Sequence, residues 1–293
     1  MTAQYSSRIL VLPNNPINPL PDLPKLYLEP LDFAGALMLL DPSHPWDATQ
    51  TGTSLQNNLW GRALETLNLS DQSAVGGSRI AITTQGGSAN RYSERTGKKA
   101  IHLFYADAIG ANNANVQSYK FPTAILNHLK DSGNEFYVGL SHHITRNQNG
   151  LGSGVSRNQW SGLTYNDTGY VYSLDTDKDR PTSSESSRTF ANRVGTSSDD
   201  TLGLVHRSIG FKGRTLANSN GVNPMFGVGR NSNWTNTSVV PASSILYTLF
   251  ICDLTVANKT AAEVDAIFQA RQAALFVKGG RYADDTWTDP ASL

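Results

Sequence analysis

The sequence predicts an all-β sandwich that closes with a C-terminal helix and carries one short accessory helix. Three observations predict it. Short runs rich in branched and aromatic residues recur along the chain, separated by Gly, Asn and Ser clusters, a rhythm of sandwich strands rather than of βα units. Ser, Thr, Asn and Gly together make up about a third of the 293 residues, as suits a loop-rich β scaffold with a neutral, hydrogen-bonding surface. The stretch YTLFICDLTVANKTAAEVDAIFQARQ, residues 247–272, turns from a strand into a helix.

Taken from the N-terminus, residues 1–30 form a Pro-rich arm, with six prolines between Leu12 and Pro30. Proline fixes φ and removes a donor, so the arm is expected to be extended and poorly paired. It has two readings, a strap on a neighbouring subunit or a wrap on its own domain. Residues 31–279 form the sandwich domain. Its strands are expected in ALMLLDP, SRIAITT, KAIHLFYA, EFYVGLSHHITR, LTYNDTGYVYSLD, GLVHRSIGFKG and MFGVGR. FPTAILNHLKDSG, from Phe121 to Gly133, reads as the accessory helix, and Lys178–Asp200 as a polar loop. Residues 280–293 read as a tail.

The last strand is apolar on both faces. Strict alternation puts Tyr247, Leu249 and Ile251 on one side and Leu246, Phe250, Cys252 and Leu254 on the other. Each large side chain buried there contributes roughly 1.5–3 kcal/mol. Asn258-Lys259 turns the chain, and Thr260 with Glu263 forms a capping box. Val264, Ile267, Phe268, Arg271 and Leu275 then follow at helical spacing, with Asp265, Gln269 and Gln272 expected in water. Gly279-Gly280 ends the pattern.

Composition excludes several functions. Formal net charge is zero and only 16% of residues are charged, which argues against capture of nucleic acid or of an anionic membrane. No apolar run approaches a membrane span, and the N-terminus lacks the basic and apolar regions of a secretory signal. The single cysteine, Cys252, lies within the apolar strand and reads as a small core residue. The Asn-x-Ser/Thr sequons at Asn68, Asn166, Asn233, Asn236 and Asn258 read as by-products of an Asn- and Thr-rich chain.

Residues 243–287, with SSILYTLFICDLTVANKTAAEVDAIFQARQAALF and then GGRYADDTW, resemble the ends of concanavalin A-like, LamG-type jelly-roll proteins of tailed bacteriophages and prophages. Over residues 33–242 the likeness is architectural only. The resemblance implies a jelly-roll fold whose terminal helix covers an open end of the sandwich. It also implies a non-enzymatic virion protein of the tail, baseplate or fibre class, made in the bacterial cytoplasm. Its partners would be other virion proteins and further copies of itself, a trimer by preference, with binding of a host-surface glycan. Capsid decoration is a variant of that reading. The family has no universal ligand, so it transfers no binding residue.

Catalytic signatures are sparse. Two-carboxylate glycosidases of related folds space their acids Glu-x-Asp-x-x-Glu on one strand, where alternate residues share a face. The near match at Glu263 and Asp265 lacks the closing Glu and falls on the helix, where Glu263 serves as a cap. A glycan hydrolase or lyase using scattered acids such as Asp107, Glu135 or Asp175 is the competing function. No cofactor is expected, save for calcium at Asp175, Asp177 and Asp179. Their alternation suits a hard cation, but Arg180 stands where an EF-hand loop needs Gly. His142 and His143 are adjacent on a strand and so face opposite sides, which separates them as metal ligands. Gly152-Ser153-Gly154 is too short for a nucleophile elbow. Sugars stack on aromatic rings flanked by hydrogen-bonding groups. The candidates for such a site are Trp234 with Arg230, Asn231 and Asn233, and Trp160 with Tyr165; core packing is the competing role for Trp160, Tyr170 and Tyr172.

Overall fold

The computed structural model describes residues 28–47, 52–85, 91–105, 109–110, 116–146, 159–164, 170–175, 179–180, 188–190, 202–213, 224–229, 238–239 and 242–292. In chain order the elements are β1 (Ala36–Leu40), α1 (Trp60–Leu67), β2 (Thr83–Gln85), β3 (Arg91–Arg95), β4 (Ile101–Tyr105), β5 (Ile109–Gly110), β6 (Val116–Lys120), α2 (Thr123–Asp131), β7 (Glu135–Arg146) and β8 (Gln159–Thr164). There follow β9 (Tyr170–Asp175), β10 (Asp179–Arg180), β11 (Arg188–Phe190), β12 (Gly203–Lys212), β13 (Pro224–Gly229), β14 (Ser238–Val239), β15 (Ser243–Asp253), α3 (Leu254–Ala257) and α4 (Ala261–Phe276).

These elements build a two-layered antiparallel β-sandwich of the jelly-roll type. The larger layer runs β11-β12-β7-β15-β4-β3, with β1 paired to the C-terminal half of β15. The second layer consists of the ladders β10-β9-β8 and β13-β6-β2, with β13 beside β8. Between the layers lies the main core. Leu103, Leu140, Leu246, Leu249 and Ile251 meet Tyr119, Trp160, Tyr172, Met225 and Phe226. The predicted accessory helix is α2. A further helix, α1, arises from Trp60, Ala63, Leu64 and Leu67 at helical spacing, which turn toward the same core. No helix among the described residues is long and apolar enough to cross a membrane.

β15 is buried along its whole length, as its two apolar faces require. Strict alternation fails, however, at a bulge. Leu246 pairs with His142 while Thr248 pairs with the very next residue, Ser141. The extra residue on β15 moves Tyr247 to the opposite face from Leu249 and Ile251. Leu246, Leu249 and Ile251 therefore share the interior, and Ile245, Tyr247, Phe250 and Cys252 lie beneath the outer cover.

That cover includes α4, which lies on the outer face of the large sheet against β7 and β12, not across an open end of the sandwich. Its capping box forms as expected, with the Glu263 N–H donating to Thr260 Oγ1 at 3.2 Å and the Thr260 N–H to Glu263 Oε2 at 2.7 Å. The buried stripe is Ala261, Val264, Asp265, Phe268, Arg271, Gln272 and Leu275. Asp265 and Gln272 are thus inside, contrary to the sequence expectation. Asp265 Oδ1 accepts from the Tyr137 hydroxyl at 2.8 Å and from Ser208 Oγ at 2.6 Å. A polar side chain with partners on the sheet can occupy a buried stripe that hydrophobicity alone does not reveal.

Both ends of the predicted domain extend further than its boundaries suggest. Glu29, assigned to the arm, is buried and receives Arg271 Nε at 2.7 Å and Nη2 at 2.9 Å on its two carboxylate oxygens. Asp41 accepts from Arg271 Nη2 and from Arg281 Nη2, each at 2.5 Å. In the segment read as a tail, the Tyr282 hydroxyl donates to Asp41 Oδ1 at 2.6 Å, and Trp287 packs on His143 with ring centroids 4.6 Å apart.

Candidate functional site

A polar hollow opens where the two layers end side by side, at β3 of the large sheet and β2 of the smaller ladder. Its volume is about 490 Å³, and Thr53, Ser54, Ala81, Ile82, Thr84, Arg91, Ser93 and Gln117 line it. Register explains the convergence. Arg91 pairs with Tyr105 and Ser93 with Leu103 across β3 and β4, so both alternate residues of β3 face the same way. Thr84 pairs with Gln117 across β2 and β6.

The walls are held by backbone bonds. Arg95 donates to the carbonyls of Gly52 at 2.5 Å, Ser54 at 3.2 Å, Pro42 at 3.1 Å and Lys99 at 2.8 Å. The Tyr119 hydroxyl donates to the Thr53 carbonyl. Leu55 and Ile80 exchange backbone bonds of 2.9 and 2.6 Å, which seats Ala81 and Ile82. Gln117 spans the layers, donating from Nε2 to the Phe104 carbonyl at 2.9 Å.

Behind Arg91 and Gln117 stands Tyr105, which is wholly buried. Its hydroxyl lies near the Gln117 amide but makes no hydrogen bond of ordinary geometry. Burial pushes the phenol well above its usual pKa, although the Arg91 charge pulls in the opposite direction. It therefore stays a neutral donor. Four hydroxyls, one amide and one guanidinium line the hollow, with neither carboxylate nor imidazole among the described lining residues. A second hollow beside the start of α2 mixes Asp71 with Arg79 and Lys120.

The sequence candidates lie elsewhere. Trp160 is wholly buried in the main core, its ring 4.8 Å from that of His142, and offers no open face to a sugar. Tyr172 is core as well, stacked on Phe211 and bonded to Ser161 Oγ at 2.9 Å. Trp234, Asn231, Asn233, Arg230 and Tyr165 lie outside the described residues, as do Asp107 and Asp177. Asp175 ends β9 and Asp179 begins β10; their side chains also lie outside the description. Among the described residues no three metal-ligating side chains gather. Glu135 is exposed at the start of β7.

His142 and His143 do face opposite sides. His142 is sealed in the core with Nδ1 2.9 Å from Ser244 Oγ, and burial holds its pKa well below the usual imidazole value. His143 lies on the outer face, its pKa lowered by burial. The residues of the hollow come from four separate stretches, none of which is a motif. The alternation of Arg91, Ser93 and Arg95 on β3 is the pattern in the sequence that could have pointed there.

No protein-family model matches the chain, and no curated protein matches it. Among solved structures it is similar to the binding domain of botulinum neurotoxin serotype D/C VPI 5993, at 9% identity and a TM-score of 0.38, over 83% of this chain and 54% of that one. The binding domain of botulinum neurotoxin DC in complex with SialylT matches at 10% identity and 0.32, over 85% and 54%. A Trypanosoma rangeli sialidase in complex with sialic acid matches at 13% and 0.26, over 83% and 34%. The chain spans about half the length of the toxin domains it matches. Likenesses this remote transfer neither ligand nor activity.

Proposed function

We propose that the protein is a non-enzymatic binding and building module of a tailed-phage particle, in its tail, baseplate or fibre, which holds a host-surface glycan without cleaving it. The observation that carries the binding reading is the chemistry of the hollow. Its hydroxyls, amide and guanidinium suit a hydroxylated ligand, while general acid–base cleavage needs a positioned pair such as two carboxylates. The buried acids of the described residues, Glu29, Asp41, Asp253 and Asp265, serve structural bonds, Asp253 as the N-cap of α3. The virion assignment is supported by the sequence of residues 243–287 and by the zero net charge.

The test joins three measurements. The purified protein is expected to co-sediment with host-surface polysaccharide and to release no reducing ends from it. It is expected to scatter light as a homo-oligomer, a trimer by preference, and to be found by mass spectrometry in purified particles. Release of reducing ends would replace the binding reading with a hydrolase. A monomer missing from particles would end the virion reading.

A further inference from the structure

We infer that residues 283–292 form an acid-sensitive strap, closed over the outer face of the large sheet at neutral pH and lifted from it when His102 and His143 take up protons. The device belongs to the outer cover and is independent of the hollow.

Geometry defines the strap. Its root is fixed, because the Tyr282 N–H donates to the Leu275 carbonyl at 3.0 Å and the Tyr282 hydroxyl to Asp41 Oδ1 at 2.6 Å. Asp284 then turns the chain with φ 53°. Beyond it the segment rests on the turn between β3 and β4. The Gly97 N–H donates to the Thr286 carbonyl at 2.8 Å, and the Lys98 N–H to Asp285 Oδ1 at 2.7 Å. Thr288 donates through its N–H and its hydroxyl to the two oxygens of Glu94, at 2.8 and 2.7 Å. Trp287 lies on His143 and packs against the cluster of Ala100, Ile245 and Tyr247. Residues 284–289 are all exposed or half-buried, as are Gly97 and Lys98. A segment held by such contacts opens at a lower cost than the whole domain.

Two histidines lie along its path. Ile245 of β15 pairs with His102 on β4 and with His143 on β7, so both imidazoles flank it on the outer face. His102 Nδ1 is 3.0 Å from Oε1 of Glu94, the carboxylate that Thr288 holds, and Nε2 is 2.9 Å from Thr145 Oγ1. Burial lowers the pKa of His102; Glu94 opposes the shift, while His143 and Arg146 add to it. Burial also lowers His143, against the pull of Asp285. Opening wets both rings and returns them toward 6.5, so the open form binds more protons than the closed one. Opening therefore grows as pH falls below 6.5 and levels off under the closed-state values.

The surroundings do not titrate in that window. Burial raises Glu94, but bonds from Thr288 and His102 bring it below 4.5. Burial raises Asp41 too, yet Arg271 and Arg281 more than offset it, so the root at Tyr282 holds. His206, one strand further along beneath Phe276 of α4, is pushed down to about 4 by burial and stays neutral. Mild acid thus lifts the strap and leaves α4 in place.

The experiment is hydrogen exchange of the full chain, read by mass spectrometry from about pH 7.5 to about pH 5 and corrected for intrinsic exchange. Peptides covering 283–292 are expected to lose protection by about tenfold or more, since each imidazole contributes up to about tenfold per pH unit. Peptides of α4 should keep theirs. His143→Phe, which leaves a ring on Trp287, and His102→Asn should each flatten the dependence, and α4 protection at neutral pH shows that each variant is folded. Gly97→Val should loosen the strap at every pH, because even a Cβ there runs into Thr286 Oγ1. Strap protection that stays constant across the range, or that falls together with α4, overturns the strap. A pH dependence that survives both histidine substitutions overturns the sensor.

Discussion

Replacing Arg271 with methionine tests what fastens α4 to the sheet. The guanidinium is only 3% exposed and contacts two fully buried carboxylates, Glu29 and Asp41. Burial by itself would raise the pKa of Glu29. The hydrogen bond from His44 and the charge and bonds of Arg271 more than offset it, and the value falls from 4.5 to about 2. That gap corresponds to roughly 3 kcal/mol of preference for the ionised carboxylate in the folded protein. The unfolded chain takes up the proton as pH falls past 4.5, the folded chain only near 2. The stabilisation is therefore complete above pH 4.5 and disappears between 4.5 and about 2. Asp41 is lowered in the same direction, with burial opposed by the charges of Arg271 and Arg281. Arg271→Met leaves Asp41 to Arg281 and Glu29 to His44, and removing one member of a buried ion cluster costs about 3–5 kcal/mol. In a chain this long the melting temperature should fall by on the order of 10 °C. Urea titration at pH 7 measures the loss, and melts taken down to pH 2.5 measure the acid limb, which should move toward higher pH in the variant. A loss below about 1 kcal/mol, with the acid limb unmoved, would refute this account of the network.

Other substitutions probe the same cover. Gln272→Leu should hold or raise stability by up to about 2 kcal/mol, because both amide atoms are buried without partners; a clear loss in urea titration would show the amide to be bonded, for instance to a buried water. Gly139→Ala should cost about 1–3 kcal/mol, since a Cβ there would meet the buried Phe268 ring at 2.9 Å; a neutral result in the same titration would mean that α4 shifts freely on β7. The Cys252 thiol is buried, and burial together with the Asp253 charge pushes its pKa up, so a thiol reagent should label it only as fast as the protein unfolds. Rapid labelling of the native protein would contradict that placement.

The strands and the late helix were legible because their signals are local. β7 matches the predicted run from Glu135 to Arg146 residue for residue, and Thr260 with Glu263 forms the cap that their spacing announces. The failures have a shared cause. A bulge at Tyr247 depends on how β15 registers against β7, and nothing within the run from Leu246 to Thr248 announces a broken alternation. Asp265 and Gln272 look solvated to any rule based on polarity, because the partners of Asp265, Tyr137 and Ser208, are contributed by distant strands. Trp160 drew notice as an aromatic beside Asn and Gln, yet its strand faces the main core.

The hollow was illegible for the same reason in stronger form. Threonine and serine are common in this chain, so Thr53, Ser54, Thr84 and Ser93 carry no individual signal. They acquire one only where the two layers end together and Arg95 pins the 52–54 carbonyls beside β3. A hydroxyl-lined surface is assembled from ordinary residues by topology, so no single position announces it. The hydroxyls that converge in the hollow thus come from the residue types the whole chain has in excess, and it is their placement, not their identity, that sets them apart.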